Sequence, residues 1–118
     1  MSAQAKGDRL RVAAMVEAAE LARQDAGGRP QEFLRPGLVQ RAVLLDLIHL
    51  TESAERTSPG LKRVNSRFPW ARLTRLRNKG LVHDDEELDL EDIWQFLHEV
   101  LPRIRRQLQR MRYPARER

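Results

Sequence analysis

Cysteine is absent from the 118-residue chain. That excludes a disulfide scaffold, a thiol nucleophile and any thiolate-held metal. Aromatic residues make up only 5%, so a core has to be assembled mainly from Leu, Val, Ile and Ala. β-Branched residues are sparse, and no segment alternates apolar and polar positions over the length of a strand, which argues against a sheet. No run approaches the roughly 18 apolar residues of a membrane span. The opening MSAQAKGDRL has no apolar stretch of the kind a signal peptide uses. The resulting expectation is a cytoplasmic protein with no membrane association. Lysine is scarce too: of the 22 basic residues, 19 are Arg and 3 are Lys. Arg presents a planar donor fork to phosphate and stacks on bases, so the bias fits nucleic-acid contact. A GC-rich genome produces the same bias with no functional meaning.

What is present is enough for one core. Hydrophobic residues are 41% and charged residues 33%, and a chain this short carries a single domain. The expected division is one helical domain over residues 1–112 and a basic tail over 113–118. The charge is blocked along the chain. Lys62 to Lys79 holds seven bases and no acid, Asp84 to Asp92 holds seven acids and no base, and Arg103 to Arg118 holds seven Arg and one Glu. The last block carries +6 of a net +5. The high isoelectric point is therefore a property of the C-terminus rather than of the whole surface.

The periodicities predict an all-α chain of about five helices. Asp8 is a good N-cap for a first helix carrying Leu10, Val12, Val16, Ala19, Leu21 and Ala22, stopped by Gly27-Gly28. Pro30 opens a short turn through Phe33 and Leu34. A long helix from about Leu38 to Arg56 follows, and its run of Ala42 to Leu50 is apolar on more than one face, which predicts burial on more than one side. After Ser58-Pro59-Gly60 comes a short helix to Ser66. Pro69 sits at the first position of another helix, from Trp70 to about Lys79. Asp89 caps a final helix from Leu90 to about Met111, with a kink expected at Pro102. The long helix and the final helix are expected to form a central antiparallel pair. The surplus apolar surface of the long helix predicts a homodimer.

One segment concentrates chemistry: Arg77 and Asn78, then His83, in a basic stretch that also carries Arg72, Arg75 and Lys79. Arg holds a phosphate and stabilises charge developing on it. Asn orients a hydroxyl or an imidazole. His moves a proton near neutral pH. These are parts for metal-free RNA cleavage, in which the neighbouring 2′-hydroxyl attacks the phosphate. On a regular helix the six-residue step puts Arg77 and His83 about 120° apart. Convergence then needs a break at Gly80 or a second chain across a two-fold axis. The plainer alternative is a solvated Arg-rich face with an isolated surface His.

Arg77-Asn78 and Leu81-Val82-His83, preceded by Pro69-Trp70 and followed by an acidic segment and an Ile-Trp helix, resemble HepT, the ribonuclease-toxin branch of the HEPN superfamily. Asp8-Arg9-Leu10, Glu32-Phe33-Leu34, Arg41-Ala42-Val43, Glu52-Ser53-Ala54 and Leu101-Pro102 extend the resemblance over most of the chain. It implies an antiparallel HEPN-type helical bundle and a homodimer with a cleft at the two-fold axis. It further implies metal-independent endoribonuclease activity with no cofactor, and a small MntA-like nucleotidyltransferase as antitoxin partner. Arg77, Asn78 and His83 match the catalytic positions, and Arg72, Arg75 and Lys79 are the accompanying RNA contacts. Two departures stand out. Five residues separate Arg77 from His83 where the family usually has four. Asp85 stands where the family has the Tyr to which the antitoxin attaches nucleotides.

Other residues receive structural readings. His49 is expected in the core or an interface, and His98 on a polar or dimer-facing side. The histidines lack metal-ligand spacing, so no metal site is expected. Trp70 and Trp94 read as core anchors. The acidic block reads as a solvated loop leading into a helix N-terminus. Two alternatives to the nuclease remain: a catalytically lapsed HEPN bundle that serves as interaction partner of a nucleotidyltransferase, and a plain Arg-rich nucleic-acid binder that uses its tail.

Overall fold

The computed structural model describes residues 2–81 and 89–114. The described residues are helical with no strand. They form α1 (Ala3–Ala26), α2 (Pro30–Leu34), α3 (Leu38–Glu55), α4 (Pro59–Val64), α5 (Trp70–Leu76), α6 (Leu90–Gln95) and α7 (Leu101–Gln109). Two wide π turns extend this set: Arg77–Leu81 continues α5, and Phe96–Val100 joins α6 to α7.

α1 is the central element. Its buried stripe is Asp8, Val12, Met15, Ala19, Ala22 and Ala26, spaced for one face of a helix. The alanines leave room for α3 to approach closely along most of its length. Leu10 and Leu21, also apolar residues of this helix, are 73% and 40% exposed. Asp8 at the start of α1 accepts hydrogen bonds from Ser58, beyond the end of α3, so the two helices run antiparallel. α7 also lies antiparallel on α1: Glu20 pairs with Arg105 at 3.1 Å and Arg9 lies over the Tyr113 ring at 4.0 Å. The central pair is therefore α1 with α3, not α3 with the final helix.

Local signals explain most of the boundaries. Ser2 caps α1, accepting from the Ala5 N–H at 3.1 Å. Asp8 is not the cap; it lies one turn inside the helix, 3% exposed, and takes the Ser58 N–H at 2.9 Å and the Ser58 hydroxyl at 2.5 Å. Ser58 in turn caps α4, accepting from the Leu61 N–H. One buried carboxylate thus joins the first helix to the fourth. Gly27 ends α1 at φ +62°, a conformation glycine takes without steric penalty. Asp89 caps α6 as expected, accepting from Glu91 and Asp92 N–H at 3.0 and 3.2 Å. Pro69 is the residue before α5 rather than its first residue.

Pro102 has no N–H for the carbonyl of His98, and its ring presses on that turn. The helix accommodates it in the π turn just upstream, where the Leu101 N–H reaches back to the Phe96 carbonyl. The expected kink thus appears as a widened turn.

The core is one cluster built on Met15, Phe33, Leu47, Leu50, Leu61, Leu73, Leu97, Leu101 and Ile104, all essentially inaccessible. The two tryptophans pack against it as anchors. Trp94 stacks on Phe33 with centroids 5.9 Å apart, and the Trp70 indole N–H donates to the Asn65 carbonyl at 3.0 Å. Tyr113, placed by sequence in a frayed tail, is half-buried against the core. Asn65 holds the chain beside it, donating to the Arg112 carbonyl at 2.7 Å and accepting the Arg112 N–H at 2.9 Å.

Candidate functional site

Arg77 sits where α5 gives way to its π turn. Its guanidinium reaches the last residue of α3, and Nη1 lies 2.9 Å from Glu55 Oε2. The Arg side chain is 31% exposed and the Glu 53%. A pair this wet contributes little stability, but it fixes where the guanidinium points. Nε of Arg77 is buried with no partner among the described residues. The group is thus held on one side by a carboxylate, and part of its guanidinium side chain stays accessible. Asn78 beside it is exposed. His83, together with Asp84 and Asp85, lies outside the described residues.

The other bases of the segment face elsewhere. Arg72 and Arg75 lie one turn apart on one side of α5 and Lys79 follows in the π turn, whereas the two-residue step from Arg75 to Arg77 turns about 200°. The three line a groove of about 710 Å³ whose opposite wall carries Asp89, Asp92 and Glu99. Arg72 lies over the Phe96 ring at 5.9 Å. The residues expected to act together are therefore divided. Arg77 turns toward α3, and Arg72, Arg75 and Lys79 turn toward α6 and the π turn after it, opposite three acids. The 100° helical step carried this division already; the acids across the groove and Glu55 beside Arg77 come from packing and had no local signal.

The two remaining histidines contribute no site. His49 is exposed on α3, not in the core. His98 stacks on Trp94 at 4.0 Å, and its Nδ1 lies 2.9 Å from the Trp94 carbonyl oxygen. Among the described residues no three acids or histidines gather as metal ligands, and no helix is long and apolar enough to cross a membrane.

Sequence reading also missed a buried acid. Asp46, midway along α3, is 8% exposed, and its Oδ2 has no partner among the described residues. Burial, and then the neighbouring Asp25 carboxyl, push its pKa up to about 7. The acid appears in sequence only as a polar interruption of the apolar run.

The family model described as ribonuclease HepT-like matches residues 15–111. No curated protein and no solved structure gives a significant match. The matched span takes in the Arg77 turn, the groove beside it and every helix from α2 to α7; with most of the chain covered and the bundle all-helical, the protein belongs to the HepT-like ribonuclease family.

Proposed function

We propose that the protein is a metal-independent endoribonuclease that acts as a homodimer. In this reading it is the toxin of a toxin–antitoxin pair whose other member is an MntA-like nucleotidyltransferase. The observation that carries the reading is Arg77, a guanidinium oriented by Glu55 and still 31% exposed, inside a span matched by a ribonuclease family. His83 transfers the proton between the 2′-hydroxyl, the phosphate and the leaving 5′-oxygen. Arg77 neutralises charge building on the phosphoryl oxygens. Asn78 orients one of these groups. Arg72, Arg75 and Lys79 add strand contacts, with their field partly met by the acids across their groove. A π turn holds one residue more than an α turn and recurs at functional sites. The one at Arg77–Leu81 thus offers a place for the extra residue in the Arg77-to-His83 interval.

Support for the dimer comes from α3. Leu38 and Leu45 are 75% and 52% exposed and lie two turns apart on one face of α3, apolar surface that a second copy would cover.

The test is RNA cleavage by purified protein. His83→Ala and Arg77→Ala are each expected to lower the rate at least about a hundredfold, with the dimer intact, EDTA without effect and 2′,3′-cyclic phosphate on the products. A lapsed bundle that only binds a nucleotidyltransferase is the second reading, favoured by Asp85 in the position of the family's Tyr. Wild-type protein and Asp85→Tyr that both leave RNA uncut would decide for it.

A further inference from the structure

A second groove, of about 770 Å³, runs between the connection from α4 to α5 and the C-terminal half of α7. Arg67, Arg103, Arg106, Arg110 and Arg112 line it, and no acid does among the described residues. α7 creates the arrangement by its period. Leu101, Ile104 and Leu108 form its buried face, and Arg103, Arg106 and Arg110 repeat the same spacing on the opposite side. Arg67 closes the groove from the other wall. All five side chains are exposed. The two ion pairs among the described residues join Arg77 to Glu55 and Arg105 to Glu20, so none of the five is neutralised by them.

The walls are also tied together. The paired hydrogen bonds between Asn65 and the Arg112 backbone hold the end of α7 against the end of α4. Five cations held along one groove repel one another, and an anionic strand that replaces their small counter-ions relieves that repulsion. The groove beside Arg72 and Arg75, by contrast, already has acids on its far wall.

We propose that the five-arginine groove binds the phosphates of RNA, at a place separate from the Arg77 centre. That the polyanion is RNA rests on the ribonuclease reading; the preference for a polyanion rests on the groove itself. The groove lies at the N-terminal end of α5 and Arg77 at its C-terminal end.

The experiment measures binding of a fluorescein-labelled oligouridylate to the full chain between about 50 and 200 mM salt. Arg106→Gln with Arg110→Gln is expected to weaken binding at the low-salt end by about tenfold or more. The slope of log affinity against log salt should fall by about 1.4, the share of two phosphate contacts on a single strand. Arg23→Gln with Arg35→Gln removes the same charge from exposed positions outside both grooves and should leave the slope unchanged. Thermal melts establish that both doubles fold. Equal weakening by the two doubles would reduce the effect to net charge and overturn the proposal, as would a groove double that binds like wild type. Competition by polyglutamate as effective as by unlabelled oligouridylate would overturn it in favour of an acidic protein partner. Cleavage is scored separately: loss of binding in the groove double, in a chain that cuts nothing, supports the groove and defeats the nuclease reading alone.

Discussion

Replacing Asp46 by Asn should make the protein more stable, and by an amount that depends on pH. Asp46 is buried on α3 with one oxygen unpartnered, and its carboxyl pKa is raised from 3.8 to about 7 by burial and by Asp25. The folded state therefore binds a proton more tightly than the unfolded state does. The stability this gives is fully present below about pH 4 and is lost as pH rises to 7, where the folded chain has to ionise a carboxyl it holds poorly. Asn is isosteric, neutral throughout and able to donate to Asp25. A shift of this size corresponds to a ceiling of about 4 kcal/mol. Asp25 is exposed, so water screens the pair, and we expect about 1–2 kcal/mol. Against a total stability of roughly 5–15 kcal/mol that is readily measured. Urea unfolding at pH 5 and pH 8, followed by helical circular dichroism at fixed protein concentration, should show the advantage of Asp46→Asn growing with pH. An advantage that stays constant over that range, or a variant destabilised at pH 8, would refute the account of Asp46 as a proton-holding carboxyl.

Asp8→Ala should cost about 2–4 kcal/mol in the same assay, because the buried Ser58 N–H loses its acceptor and α4 loses the link to α1. Leu38→Glu with Leu45→Glu should leave the fold intact and convert a particle of roughly twice 13.8 kDa into a monomer by light scattering; an unchanged mass would place the two-fold elsewhere or remove it. Tyr113→Ala should lower stability by about 1 kcal/mol in urea unfolding through loss of the Arg9 contact and of core packing.

Signals confined to a few residues were legible in the sequence. Gly27, Asp89 and Pro102 each act within one turn, and each ends, starts or disturbs a helix where its chemistry dictates. Asp8 misled because two caps competed. Ser2 has the same capping chemistry six positions earlier, α1 gains more than a turn by starting there, and Asp8 is released to take the Ser58 hydrogen bonds. That second role depends on a residue fifty positions away and has no local mark. Tyr113 was lost for the same reason, since Asn65 and Arg9 hold its surroundings from other helices. The apolar excess of α3 was legible, but its partner was not. The alanines of α1 carry little hydrophobic weight in a pattern, yet they are what admits α3 to the centre.

The candidate site divides along the same line. Residue types alone selected Arg77, and the helical step alone separates it from Arg72 and Arg75. What gives each arginine a different role is the charge opposite it. Arg77 has one carboxylate, enough to aim a guanidinium that stays partly exposed. Arg72 and Arg75 face acids across a groove, which weakens their pull on an anion. Arg103, Arg106 and Arg110 have Arg67 across a groove that no acid lines among the described residues. Composition treats these side chains as equivalent, and the net charge of the tail suggests a diffuse attraction. Packing instead sorts them into one aimed group, one compensated pair and one uncompensated row. Because a long-range contact sets each of those environments, substituting a carboxylate is as informative as substituting an arginine: Glu55→Gln should loosen the aim of Arg77 without altering the groove on α7, so RNA cleavage falls while oligouridylate affinity and its salt slope stay where they were.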